Sequence, residues 1–217
     1  MRRSRLITAV TLLAFSSILA GADLSTWSKD ELTVVELINQ QRQHRGLSPL
    51  LPDDRLHAAA KAHAQDMAER NYFSHVTPEP EAWTYQDRIT AAGYHWDQPS
   101  GSAAENISSG LGRYQDPRSV MFGTPLIDDL IKFAKKTNLS SPINDWPDVG
   151  RGWNNENWRD WARAQKASNA PGGWMGSDGH RDNILGAGFS HIGVGYAVIE
   201  RGGRFHHYWT VTLASGD

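Results

Sequence analysis

The hydrophobic period of this chain changes along its length, and that change limits the folds open to it. In the first half, Val34, Leu37, Ile38 and Gln41 follow one helical face, and Leu56, Ala60, His63, Ala64 and Met67 line another. Near the end the period drops to two. Ile192, Val194, Tyr196 and Val198 alternate with Gly193, Gly195 and Ala197, and Trp209, Val211 and Leu213 alternate with Tyr208, Thr210 and Thr212. Arg201-Gly-Gly-Arg204 between these runs predicts a β-hairpin with a half-buried face. Helices first and a hairpin last predict an α+β chain of packed layers rather than alternating βαβ units.

Local signals place the helices. Ser28-Lys-Asp-Glu31 has capping-box spacing, in which a hydroxyl and a carboxylate three residues on satisfy each other's backbone amides. Gly46 and Pro49 stop this first helix. A second is predicted over about 53–70. Pro78 and Pro80 open a third stretch through Trp83 and Ile89, ending near Gly93. The middle is irregular, with one helix predicted over 126–136 and a cluster of Trp146, Trp153, Trp158 and Trp161.

The N-terminus reads as an export signal over 1–22. Arg2, Arg3 and Arg5 precede an apolar run over 6–20, and Ala20-Gly-Ala22 offers small residues for cleavage before Asp23. No later segment is apolar enough to span a bilayer. Residues 23–217 then form one domain, secreted or associated with the cell envelope. The formal net charge of −2 argues against nucleic acid as a partner. The absence of cysteine rules out thiolate chemistry and disulfides, so stability must come from the core and from any ligand.

Two histidines and a glutamate stand in recognisable settings: His75 in Asn71-Tyr-Phe-Ser-His-Val-Thr-Pro78, Glu105 in Ala104-Glu-Asn-Ile107, and His180 in Ser177-Asp-Gly-His-Arg-Asp-Asn-Ile184. Brought together, two imidazoles and a carboxylate suit a divalent metal such as zinc, with an open position for Lewis-acid work. The same residues suit a polar cluster or an ion-binding cleft without turnover. Leu37-Ile-Asn-Gln-Gln-Arg42, Tyr72-Phe-Ser-His75, Glu105-Asn106, Gly179-His180, Ile192-Gly-Val-Gly195 and Tyr208-Trp-Thr210 follow one another in an order that resembles the CAP superfamily (SCP domain), the cysteine-rich secretory, antigen 5 and pathogenesis-related 1 proteins, in its compact secreted bacterial form. The resemblance implies an α-β-α sandwich with a small antiparallel sheet between helical layers. It also implies a shallow cleft in which His75, Glu105 and His180 correspond to the family's first histidine, first glutamate and second histidine. The stretch nearest the family's second glutamate, Trp174-Met-Gly-Ser177, has no carboxylate.

Other polar residues carry supporting expectations. Asn106 and Asn183 satisfy backbone groups beside Glu105 and His180, and Ser177 or Asp178 caps the short helix bearing His180. His63 lies on an apolar stripe and reads as a hydrogen-bonded core histidine, whereas His57 lies off it and is expected to be exposed. Ser74 and Ser102 lack the glycine-flanked elbow of a serine hydrolase. Residues 111–171 form an insertion relative to compact relatives, and its tryptophans are expected to pack internally while the segment borders the cleft. Three readings stay open: a secreted module binding a metal or a lipid, glycan, peptide or protein ligand; a metal-dependent hydrolase using the same cleft; and a non-catalytic interaction module working through the tryptophan-rich insertion.

Overall fold

The computed structural model describes residues 23–95, 103–123 and 173–216. The export signal over 1–22, the helix over 126–136, Trp146, Trp153, Trp158, Trp161, Ser102 and most of the 111–171 insertion lie outside the described residues. The chain divides into two compact units, one made of residues up to Pro117 together with those from Asp182 onward, the other of 118–181.

The first helix, α1 (Lys29–Gln43), opens with the expected capping box: the Glu31 amide donates to Ser28 Oγ at 3.2 Å, and the Ser28 amide to Glu31 Oε2 at 2.7 Å. Glu31 is fully buried, and its other oxygen accepts from Lys61 Nζ at 2.8 Å and from the Tyr196 amide at 2.9 Å. One carboxylate therefore caps α1 and ties it to two other elements. The second helix, α2 (Asp54–Arg70), is capped by Asp53 and ends at Asn71, which adopts the left-handed conformation at φ 56°. Leu56, Ala60, His63, Ala64 and Met67 are all buried, as their spacing predicts.

The third helix differs from the expectation. It does not begin at Pro78 or Pro80 but at Tyr85, as α3 (Tyr85–Ala91). Thr84 and Asp87 form a second capping box, which fixes the start, while the Thr77 amide donates to the Trp83 carbonyl at 2.9 Å and closes 77–83 into a loop. The remaining described helices are short: α4 (Pro117–Phe122), α5 (Gly173–Gly176) and α6 (Asp178–Ile184). No helix among the described residues is long and apolar enough to cross a membrane.

Among the described residues the sheet has four strands, β1 (Leu51–Pro52), β2 (Ala103–Leu111), β3 (His191–Arg201) and β4 (Arg204–Ala214), in the order β1-β3-β4-β2. The hairpin β3–β4 turns on Gly202 and Gly203, both at positive φ, and β2 pairs antiparallel to β4 over its whole length. The two-residue β1 runs parallel to β3, so the sheet is mixed. The fold is an α+β sandwich. β4 is buried continuously from His207 to Ala214, so it has no solvated face, contrary to the half-buried hairpin expected.

On one face of the hairpin, α2 approaches β3 closely. A Cβ on Gly193 would lie 2.0 Å from the Leu56 carbonyl carbon, and one on Gly195 2.3 Å from that of Ala60. Glycine at alternate positions lets the helix backbone lie directly on the strand. The same approach corrects the expectation for His57, which is buried: its ring stacks on Trp27 at 4.1 Å, and Nδ1 lies 2.6 Å from the Val194 carbonyl. Ala64, Met67 and Ala68 of α2 pack with Ile107 and Tyr208 on this side of the sheet.

Candidate functional site

Glu105 lies on β2, opposite Thr212 of β4, on the face covered by α2. Its side chain is 1 % exposed, and a buried carboxylate needs partners. It has three neighbours from three elements. Arg88, one turn into α3, donates from Nη2 to Oε2 at 2.8 Å; His75 Nδ1 lies 2.9 Å from Oε1; and His63 Nε2, from α2, lies 3.9 Å from the same oxygen.

Arg88 also holds the loop in place. It donates to the carbonyls of Trp83 at 2.9 Å and His75 at 3.0 Å, so one guanidinium joins the 75–83 segment to β2. The Thr84 capping box sets the start of α3 and hence the direction in which Arg88 emerges. The left-handed Asn71 turns the chain after α2, and Ser74 then offers its carbonyl to His63 Nε2 at 3.0 Å.

These partners assign the tautomers. A carboxylate only accepts, so His75 Nδ1 carries the hydrogen that faces Glu105, and in the uncharged form of the ring the lone pair lies on Nε2. The His75 side chain is 49 % exposed, so this lone pair is open to a ligand. His63 is the converse case. Its Nε2 donates to Ser74, and Nδ1 lies 3.3 Å from the Tyr72 hydroxyl, which itself donates to Asp66. Burial first, with the Arg88 charge acting in the same direction, pushes His63 down to about 4 against the pull of Glu105.

Asn183 Nδ2 donates to Asn106 Oδ1 at 2.9 Å and approaches the Glu105 carbonyl at 3.4 Å, so this asparagine pair braces β2 beside Glu105. The chain after α6 is held by Arg42, which is 1 % exposed and donates to the carbonyls of Ile184, Gly186 and Phe189. His180, Ser177 and Asp178 belong to the 118–181 unit. There His180 is half-buried, Asp178 is exposed and pairs with Arg181, and the Ser177 carbonyl accepts from the Arg181 amide at 2.9 Å.

Sequence reasoning did not single out Arg88, and it gave His63 a purely structural place. The sequence signal for Arg88 is slight: a charge next to Ile89, the apolar residue that marks the third stretch. A cavity of about 550 Å³ adjoins both residues. Ala58, Ala59 and Ala62 of α2 and Ala91 and Ala92 of α3 line it, with Trp83 on one wall and Asp66, Arg70 and Glu81 at its polar edge. Phe73, Val76 and Trp83, all on the loop carrying His75, are exposed apolar side chains.

The arrangement can do two things chemically. It presents one oriented imidazole nitrogen, backed by a carboxylate, which is how protein histidines are commonly set for a metal or a hydrogen-bond donor. The loop that carries this imidazole also exposes the apolar side chains of Phe73, Val76 and Trp83. As a metal ligand the imidazole fits. Glu105 has its two oxygens engaged by Arg88 and His75, so it fits the role of the carboxylate behind the histidine. Among the described residues no group of three or more His, Asp or Glu side chains is gathered as a metal cage.

Residues 35–213 match the model of the cysteine-rich secretory protein (CAP) family. The protein YkwD of Bacillus subtilis strain 168, described as uncharacterized, is 31 % identical over 175 residues, which cover 79 % of this chain and 44 % of that one. The chain thus spans less than half the length of this relative. Among solved structures, an extracellular protein containing an SCP domain from Bacillus anthracis is similar at 22 % identity and a TM-score of 0.48, over 86 % of this chain and 40 % of that one. An outer surface protein from Borrelia burgdorferi is similar at 15 % identity and the same TM-score, over 90 % and 97 % of the two chains.

Proposed function

The chain belongs to the cysteine-rich secretory protein (CAP) family, and from that premise we propose that it is an exported ligand-binding module, acting at or outside the cell envelope, with His75 as its contact residue. The observation that carries the reading is the His75–Glu105–Arg88 series. A fully engaged, buried carboxylate fixes one tautomer of a half-exposed ring and directs its free nitrogen outward. Such an arrangement supports binding. Glu105 itself is not placed to act as a general base, because both its oxygens have other partners.

A divalent metal such as zinc is the ligand proposed for the His75 imidazole, with Glu105 behind it. Bound there, it would supply a Lewis-acidic centre that a polar group of an organic ligand can reach. His75 offers Nε2, Glu105 keeps the proton on Nδ1, Arg88 holds Glu105, and Asn183 with Asn106 steadies the strand beneath. The alanine-lined cavity and the exposed Phe73, Val76 and Trp83 support an organic ligand with an apolar portion.

Calorimetry with zinc on the exported protein tests the reading. The expected result is a saturable heat that is absent in a His75→Ala variant with a wild-type far-ultraviolet spectrum. A folded wild type that takes up no zinc would remove metal from the proposal and direct the search to lipids, glycans and peptides. Hydrolysis of peptides or esters that required His75 would overturn the non-catalytic reading.

A further inference from the structure

The start of the described chain folds back onto the first turn of α2. The Asp23 backbone nitrogen donates to Asp54 Oδ2 at 2.8 Å, and Trp27 Nε1 donates to Asp54 Oδ1 at 3.1 Å. Both oxygens of one carboxylate are thus taken by the segment 23–27. The Leu24–Thr26 turn makes this possible: Asp23 Oδ1 accepts from the Ser25 amide, and the Trp27 amide closes back on the Leu24 carbonyl. Trp27 is buried and stacked on His57 of α2, so the segment is seated on the helix by an aromatic anchor as well.

The residue whose nitrogen meets Asp54 is also the one the sequence marks as the first after export processing. Ala20-Gly-Ala22 puts small residues one and three positions before the bond to Asp23, behind an apolar run and three arginines. The two observations are independent: one comes from the residues before position 23, the other from the fold after it.

We propose that the Ala22–Asp23 bond is the processing site of this chain, and that cleavage there creates an ammonium group which forms an ion pair with Asp54 and locks the new N-terminus onto α2. The step is a hydrolysis by an export-associated peptidase. Water supplies the hydroxyl that completes the Ala22 carboxylic acid and the hydrogen that completes the Asp23 amine. The amine takes a further proton from solvent. A single neutral amide donor becomes a charged donor with three hydrogens, and charge-assisted hydrogen bonds to carboxylates are the stronger kind. The positive end of α2 opposes an ammonium, but Asp53 at the cap and Asp54 in the first turn offset it. Asp53 is already paired with Arg55 at 2.7 Å, which leaves Asp54 as the carboxylate for the terminus.

The test uses the protein exported from a bacterial host. Mass spectrometry should find a chain beginning at Asp23. Its melting temperature is then compared with that of a chain made without export, in which a retained Met precedes Asp23 and keeps an amide there. The exported chain should melt roughly 2–6 °C higher, the shift expected of one partly exposed ion pair in a domain of this size. The difference should vanish when both chains carry Asp54→Asn, which keeps the acceptor and removes the charge. A mature chain starting elsewhere, equal melting of the two chains, or a difference that survives Asp54→Asn would each overturn the proposal.

Discussion

At the scale of single residues the molecule is organised around buried charges. Arg88 and Glu105 are both nearly inaccessible, and they pair with each other at 2.8 Å. Removing one partner leaves an uncompensated charge in the interior, which costs about 3–5 kcal/mol, whereas replacing both by apolar groups is often far less damaging. Arg88→Met should therefore lower the unfolding free energy by about 3 kcal/mol or more, and Arg88→Met with Glu105→Leu should recover much of it. Urea melts check this; a single variant that loses under about 1 kcal/mol would show that the pair is not the anchor of the 75–83 loop. His63 makes a second prediction. Its folded value is pushed down to about 4 from 6.5, so the folded state binds fewer protons than the unfolded state between those limits. The stability from keeping it neutral is present above pH 6.5 and is lost as pH falls towards 4. At roughly 1.4 kcal/mol per pH unit this amounts to roughly 3 kcal/mol. His63→Gln retains a donor for the Ser74 carbonyl but cannot charge, and its melting temperature should vary less than that of the wild type between pH 6.5 and 4.

At the scale of elements, the starts of α1 and α2 and the hairpin were legible because their causes are local. Ser28 and Glu31 announce α1, and Arg201-Gly-Gly-Arg204 announces the β3–β4 turn. β2 was not legible as a strand. Ala103-Ala-Glu-Asn-Ile-Ser-Ser-Gly-Leu111 alternates poorly, because it is an outer strand whose register is set by β4 and whose polar residues are satisfied by Arg88 and Asn183. The start of α3 lies past both prolines because the Thr84–Asp87 capping box sets it. His57 was misread because helical periodicity cannot foresee that glycines far along the chain let α2 lie flat on a strand. That contact gives the prediction belonging to this scale. Gly195→Ala must push α2 from β3 and should cost about 3 kcal/mol or more. Gly46→Ala, at φ +71° with open space around it, should cost about 1–2 kcal/mol. Equal costs measured by denaturant melts would mean that α2 and β3 have room to separate.

At the scale of the whole molecule, a chain without cysteine must hold a buried polar site together by non-covalent means. Arg42, Glu31 and Arg88 do this by each binding groups from two or three elements, a pattern that no local reading of the sequence reveals because the partners lie up to 165 residues apart. His75 and Glu105 could be nominated from their flanks, but their relation could not: which His75 nitrogen is open depends on Glu105, and Glu105's engagement depends on Arg88. Such a site should respond to its ligand as a unit. A ligand that binds only the folded state adds RT ln(1 + [L]/Kd), about 2.7 kcal/mol at a hundredfold excess over Kd, which for a chain of about 200 residues is a rise of about 5–10 °C in melting temperature. Zinc is therefore expected to raise the wild-type midpoint by that amount and EDTA to reverse it. His75→Ala should remove the rise while leaving the metal-free midpoint close to wild type, because the ring is half-exposed and Glu105 keeps Arg88. A rise that persists in His75→Ala would place the metal on other side chains. A metal-free midpoint that falls by more than about 5 °C would instead assign His75 to the support of the fold.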